Sequence, residues 1–265
     1  MVEKKWLLTD CFETLLIRNC SPDYVKQKWA KRVEAIFSYR ISSTQIYHAR
    51  RSAERYLVAK MKNGEFHEHD LYHHIVNRLF SICEEEISRW KLDQLDELFS
   101  EAELQAEKES LSVNTAQVEL FTRFPGSVAV VSDFYMSSAF LERLFSHFGI
   151  ADHINKIYVS CEYRENKHSG TLYNMVLKDL GILPDEAEMY GDNRNADVKQ
   201  AEKHGITAHL VKAEKPEKVI DNKNKIQSEI HRALYPKIYK TESFSRFALT
   251  FYLFTERLYR RCVAN

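Results

Sequence analysis

The sequence predicts an α/β fold, a Rossmann-like core built on a parallel sheet, with an all-helical subdomain inserted into it. Three observations carry that prediction. Five short apolar runs are spaced along the chain: KWLLT (5–9), SVAVV (127–131), KIYVS (156–160), AEMY (187–190) and TAHLV (207–211). Continuous apolar runs of this length suit strands buried on both faces. Helical stripes separate the later runs, and strand–helix–strand alternation is the pattern of a parallel sheet with crossover helices. Finally, more than a hundred residues lie between the first run and the second, whereas a crossover needs about a dozen.

Each element has its own warrant. KWLLT stops at Asp10 and SVAVV stops at Ser132-Asp133, while AEMY stops at Gly191-Asp192. In parallel sheets, polar residues at the carboxyl ends of strands face the ligand crevice. Residues 138–148 carry apolar side chains at 140, 141, 144, 145 and 148, a helical spacing. Leu172, Val176, Leu177 and Leu180 form a second stripe, and residues 195–204 a third helix, ended by Gly205. The long insertion reads as helices over 23–39, 43–62, 70–81 and 92–110. The expected division is therefore a core of residues 1–17 and 116–215, a helical cap of 18–115 and a C-terminal helical extension of 216–265. The extension is expected because Phe244, Phe247, Phe251, Phe254 and Leu258 recur at three- and four-residue steps. Such a stripe needs a surface to pack on: the core, a second copy in a homodimer, or a further domain.

Composition narrows the function. The 265 residues contain 38 Lys plus Arg and 38 Asp plus Glu, which gives no basic or acidic bias toward nucleic acid or an anionic membrane. No run of eighteen apolar residues suggests a membrane span. The start, MVEKKWLLTDCF, is too short in its apolar part for a signal peptide and reads instead as a first strand. The five cysteines, an odd number without zinc-site spacing, read as free thiols in a reducing cytoplasm, the expected location. Cys11 reads as a wall residue.

Four motifs carry the chemistry. Asp10-Cys11-Phe12-Glu13-Thr14-Leu15 follows the first strand, Ser132 ends the second and Lys167 sits in ENKHSGTLY before a helix. GDNRNAD, with Asp192 and Asp197, follows the fourth strand. A carboxylate can attack phosphorus and divide a hard hydrolysis into two easier steps. Three carboxylates facing an anionic substrate need a cation, and a hard divalent ion with oxygen ligands, such as Mg²⁺, fits.

In order and context these motifs resemble those of the haloacid dehalogenase superfamily, and they span residues 5–211. The resemblance implies a Mg²⁺-dependent phosphohydrolase acting on a small phosphorylated metabolite through an aspartyl-phosphate. It implies Asp10 as nucleophile, and a metal held by Asp10, the carbonyl of Phe12 and Asp192, with Asp197 as a further ligand or supporting group. Ser132 and Lys167 would bind and neutralise the phosphoryl group, and Thr14 would fix the turn. Asp133 stands as a further substrate-binding candidate, though a capping or turn role at the start of the next helix is favoured for it. Asn193 and Arg194 would shape the metal loop.

One position departs from the phosphatases of that family. They carry a second Asp, a general acid/base, two residues after the nucleophile; here it is Phe12, which can transfer no proton. Glu13 is the candidate substitute. The departure opens two alternatives: a dehalogenase, whose relatives carry an aromatic residue there, or a catalytically weak ligand-binding or scaffolding module. The acidic pair in GDNRNAD argues against dehalogenation, because family dehalogenases do not depend on a metal. More narrowly, D-x-F-[DE]-T-L, S-D-F-Y and K-x-x-G-x-L-Y look like predicted hydrolases of bacterial surface-polysaccharide loci.

Two cap features have plainer readings. His67, His69, His73 and His74 could place two or three imidazoles on one helical face as a transition-metal site. A solvated helix start with Asp70 as N-cap is the expected reading. The basic residues Lys26, Lys28, Lys31, Arg32, Arg50, Arg51 and Arg55 are expected on a solvated surface, offset by acidic residues of 84–109.

Overall fold

The computed structural model describes residues 4–212; the C-terminal stripe and Cys262 lie outside the described residues. The core is a five-stranded sheet of β1 (Trp6–Thr9), β4 (Ser127–Ser132), β5 (Lys156–Val159), β6 (Ala187–Gly191) and β7 (Thr207–Leu210), all parallel, in the order β5-β4-β1-β6-β7. All five predicted strands are present. β1 is central, with Leu8 in register with Ala129 on one side and Met189 on the other. Alternate residues of β1 and β4 enter different cores. Leu7, Val128 and Val130 join one, and Leu8, Ala129 and Val131 join the other. That two-sided burial is why these strands read as unbroken apolar runs.

The chain leaves β1, adds β4 and β5 on one side, then crosses back to place β6 and β7 on the other. The strand order therefore reverses direction at β1, where α/β sheets open a crevice beyond the carboxyl ends. Asp10 is the first residue past β1.

The helices flanking the sheet start and stop on local signals. α7 (Ser138–His147) is capped by the Ser137 hydroxyl, which accepts from the Phe140 N–H. α9 (Thr171–Leu180) ends at Gly181, at φ 63°, a conformation that glycine enters without the cost of a Cβ. The third predicted helix begins as a π-helical turn, Arg194–Lys199, and becomes α-helical only at α10 (Gln200–Lys203). α6 (Thr115–Arg123) and the short α8 (Ser160–Tyr163) complete this part.

Between β1 and β4 lie β2 (Leu16–Arg18), α1 (Pro22–Ile36), α2 (Ser43–Lys60), α3 (Glu68–Phe80), α4 (Glu84–Ile87), α5 (Leu92–Lys108) and β3 (Leu111–Val113). Ser21 caps α1 with Pro22 in the first turn, and Ser42 with Gln45 forms a capping box on α2. α3 starts two residues before the predicted position. His67 is its N-cap, and Asp70, expected in that role, is the third helical residue, accepting from the His67 N–H at 3.2 Å. β2 and β3 pair antiparallel, Arg18 opposite Leu111, so the chain departs and returns at one place.

One expectation about this region is overturned. Arg50 is fully buried, not solvated. Its guanidinium pairs with both oxygens of Glu103, donates to Glu54 Oε1 at 3.1 Å and lies 4.6 Å from the ring centroid of Trp29. The physical reason is that its counter-charges face inward on α2 and α5, so the ion carries its partners into the core.

The inserted helices meet the loops that follow β4 and β5. The Tyr135 hydroxyl donates to Glu103 Oε1 at 2.6 Å, and the Glu68 carboxylate accepts from the Ser137 N–H at 2.9 Å. Asn166 Nδ2 donates to Glu65 Oε1 at 3.0 Å. Those contacts set α3, α5 and the segment before α3 at the crevice end of the sheet. No helix among the described residues is long and apolar enough to cross a membrane, and no disulfide links Cys11, Cys20, Cys83 and Cys161.

Candidate active site

Four elements converge at the carboxyl end of β1. Asp10 leaves the strand with its amide donating to the Tyr190 carbonyl of β6 at 2.8 Å. The chain then turns tightly, since the N–H groups of Leu15 and Leu16 both donate to the Cys11 carbonyl at 2.9 Å. Glu13 takes the left-handed conformation at φ 61°. The Thr14 hydroxyl lies 3.5 Å from Asp10 Oδ2, and the Thr14 carbonyl accepts from Asn114 Nδ2. Thr14 thus ties the turn to the chain re-entering before α6.

Lys167 is delivered from the loop before α9. Its ammonium lies 2.6 Å from Asp10 Oδ1 and 2.6 Å from Asp197 Oδ1, and it is almost wholly buried. Asp133 positions it: Oδ1 accepts from the Lys167 N–H at 2.8 Å and Oδ2 from the His168 N–H at 3.3 Å. The expected helix-capping role of Asp133 belongs instead to Ser137. Asp133 sits one residue past β4 and holds the lysine loop, which itself comes from beyond β5.

The GDNRNAD turn is shaped by its own side chains. Asn193 Oδ1 accepts from the N–H groups of Asn195 and Ala196, opening the π-helical turn. Asp197 then folds back so closely that a Cβ on Gly191 would come within 2.3 Å of its carboxylate, which is why that strand ends in glycine. Asp197 Oδ2 accepts from the Asn193 N–H at 2.9 Å. With Oδ1 on Lys167, both Asp197 oxygens have partners, a disposition that positions the lysine. Ser132 ends β4 beside β1 and is buried. Cys11 is a buried wall residue whose thiol is pushed well above its usual pKa by burial.

Acidic groups crowd the site. Carboxylate oxygens of Asp10, Asp192 and Asp197 all lie within 4.8 Å of one another, and the Lys167 ammonium bonds to two of these acids, Asp10 and Asp197. Two like charges about 4 Å apart repel by roughly 4 kcal/mol at an effective dielectric of about 20. Burial pushes the Asp10 carboxyl up to about 7; Lys167 opposes the rise, and Asp197 and Asp192 add to it. Lys167 loses charge stability to burial, but Asp10 and Asp197 more than offset this and hold its pKa well above the usual value. The clustered carboxylates and the all-oxygen donors of Asp10 and Asp192 fit a hard divalent cation.

Phe12 occupies the other side of the turn. Its ring centroid is 4.7 Å from that of Phe134 and 3.9 Å from the Arg18 guanidinium carbon, and Arg18 is itself paired with Glu107 at 2.9 Å.

A family model for haloacid dehalogenase-like hydrolases matches residues 48–211, more than half of the chain. The chain belongs to that family. The match takes in Ser132, Lys167, Asp192 and Asp197 and begins beyond Asp10. Among solved structures, the HAD-hydrolase YfnB of Bacillus subtilis superposes with a TM-score of 0.53 at 13% identity, covering 79% of this chain and 89% of its own. The 2-haloacid dehalogenase of Pseudomonas syringae gives 0.52 at 14%, covering 86% and 99%. Identities this low establish a shared fold. A phosphoserine phosphatase of Thermus thermophilus is 37% identical over 60 residues, 23% of this chain and 24% of that enzyme. The match thus spans about a quarter of that relative's length.

Of the residues singled out in the sequence, Asp10, Thr14, Lys167, Asp192 and Asp197 meet directly at the haloacid dehalogenase-like site. Asn114, Asn166 and the bridging role of Asp133 are further features of it. Their signal was weak because each acts on a residue distant in sequence.

Proposed function

We propose that the protein is a Mg²⁺-dependent phosphohydrolase acting on a small phosphorylated metabolite. The observation that carries this reading is the Lys167 ammonium shared between Asp10 and Asp197, with Asp192 completing an acidic cluster. Asp10, Asp192 and the Phe12 carbonyl would hold the ion, which would offset phosphoryl charge and lower the Asp10 pKa. Asp10 attacks phosphorus, its carboxylate oxygen forms the new P–O bond, and the bond to the leaving oxygen breaks. Lys167 and the Ser132 hydroxyl stabilise the charge on the phosphoryl oxygens. Water then attacks the aspartyl-phosphate, releasing phosphate and regenerating Asp10. The helices of 18–115 act as a cap that excludes bulk water and selects the substrate. The short match to a phosphoserine phosphatase supports phosphoryl chemistry.

Phe12 favours a second reading, slow turnover restricted to good leaving groups. Packed between Phe134 and Arg18, it supplies no proton to a departing alkoxide.

The test is phosphate release from sugar phosphates, nucleotides and an activated aryl phosphate, with Mg²⁺, with chelator and with Asp10→Asn. Mg²⁺-dependent turnover, reduced about 10⁴-fold or more in Asp10→Asn, is expected. Turnover of the activated ester alone identifies the second reading. Folded protein that binds Mg²⁺ yet turns over nothing would replace both with a ligand-binding role.

A further inference from the structure

A second cluster of ligating side chains lies among the inserted helices and shares no residue with the Asp10 site. His69 and His73 are one turn apart on α3, and Asp96 comes from the first turns of α5. His69 Nδ1 lies 2.5 Å from Asp96 Oδ2, and His73 Nε2 lies 3.5 Å from the same oxygen. The two imidazole centroids are 3.8 Å apart. One carboxylate oxygen therefore faces two ring nitrogens and hydrogen-bonds to only one. His73 Nε2 and Asp96 Oδ1 are both shielded from solvent and have no hydrogen-bond partner. Unsatisfied polar atoms in such positions are costly and call for an explanation.

We propose that His69, His73 and Asp96 bind a borderline divalent transition-metal ion, with Zn²⁺ the best match. Two imidazoles and a carboxylate suit zinc, nickel or copper, whereas Mg²⁺ prefers all-oxygen ligands. Zn–N and Zn–O bonds of about 2.0–2.2 Å in a tetrahedron set donor atoms roughly 3.3–3.5 Å apart. The His73–Asp96 separation already meets that spacing. The His69–Asp96 contact must open by about 1 Å to admit a tetrahedral ion. The His69 side chain is 60% exposed, so it can make that adjustment without disturbing the core. The ion satisfies His73 Nε2 directly, and one Asp96 oxygen is the third protein donor. Solvent on the exposed His69 side supplies the fourth ligand.

The site joins the start of α3 to the start of α5. Glu68, beside His69, holds the Ser137 N–H and hydroxyl after β4; α5 carries Glu103, which holds Tyr135. Zinc bound there would staple together the two helices that grip the loop leading away from Ser132.

The experiment uses the full chain carrying Asp10→Asn and Asp192→Asn, which removes the acidic cluster as a competing site. Zn²⁺ is titrated against a chromophoric chelator, Co²⁺ is followed by its visible absorption, and Tm is read with and without zinc. The expected result is one equivalent of tightly bound zinc, a tetrahedral Co²⁺ spectrum and a raised Tm. Millimolar Mg²⁺ does not compete. Adding His73→Gln should weaken zinc binding by at least about tenfold and abolish the spectrum. His69→Gln, at an exposed position, should do the same in a chain whose fold is not at risk. Equal zinc affinity with and without His69→Gln, or no stoichiometric binding in the parent chain, would overturn the proposal.

Discussion

Two ionic clusters sit on either side of the loop after β4, the first open to solvent at its Arg51–Asp23 end, and their surroundings differ. Among the inserted helices, Arg18, Lys26, Arg50 and Arg51 face Asp23, Glu54, Glu103 and Glu107, four cations against four carboxylates. At the end of β1, Lys167 pairs with Asp10 and Asp197, and the Asp192 carboxylate lies within 4.8 Å of both acids. Titration does not follow charge count alone: Glu107 is raised by burial despite its pairing with Arg18. Burial raises the Glu54 carboxyl, but Arg50 and Lys26 outweigh it and leave the group below its usual value. Asp10 is left near 7, because burial, with Asp197 and Asp192 beside it, outweighs Lys167. A balanced cluster is complete as protein and holds helices together. Crowded carboxylates at a strand end suit the cation and anionic substrate of the proposed reaction.

Breaking the balanced cluster should have the largest effect on stability. Arg50→Met leaves Glu103 and Glu54 buried without their main counter-charge and should cost about 3–5 kcal/mol in urea denaturation. Adding Glu103→Leu should recover much of that loss, because an apolar pair of similar volume replaces both ions. No recovery would mean that Tyr135, which also bonds Glu103, depends on the carboxylate.

The next test sharpens the difference at the site. Phe12→Asp restores a carboxyl two residues after Asp10. Turnover of an unactivated phosphomonoester, relative to an activated aryl phosphate, should rise by about a hundredfold. Loss of the ring from between Phe134 and Arg18 will lower stability. An unchanged ratio would show that proton transfer does not limit the reaction.

The smallest effect concerns the crowded carboxylates themselves. With the pKa of Asp10 raised in the folded state, its contribution to stability is complete below about 4 and is lost as pH rises through about 7. In chelator, the wild type should therefore weaken across that window, and Asp10→Asn should not. At pH 8 the variant should be more stable by about 1–3 kcal/mol, since Lys167 keeps Asp197 as its partner. Mg²⁺ should stabilise the wild type more than the variant. A variant no more stable than wild type at pH 8 would show that Lys167 already balances Asp10.

The sequence disclosed the parts of this arrangement that depend on local pattern. Burial on both faces wrote the strands as apolar runs, and the strand ends then pointed to Asp10, Ser132 and Asp192. The glycine of GDNRNAD was visible as a motif, although its reason, the carboxylate of Asp197 lying against it, is tertiary. Partnerships across the chain were hidden. Arg50 read as a surface cation because Glu103 is 53 residues away, and the cap histidines read as a solvated helix start because Asp96 belongs to another helix. β2 and β3 were missed because three residues are too few to show a period of two.

That small hairpin has a consequence for how the molecule can be rebuilt. Arg18 is paired opposite Leu111, so the ninety-odd residues between them begin and end at neighbouring points in space. A tight turn joining 18 to 111 would delete every inserted helix while leaving the five-strand order and the Asp10–Lys167–Asp197 contacts untouched in connectivity. The hairpin is, in effect, a graft junction: helical inserts of different length can be exchanged there, provided that each supplies its own partners for Arg18 and Tyr135.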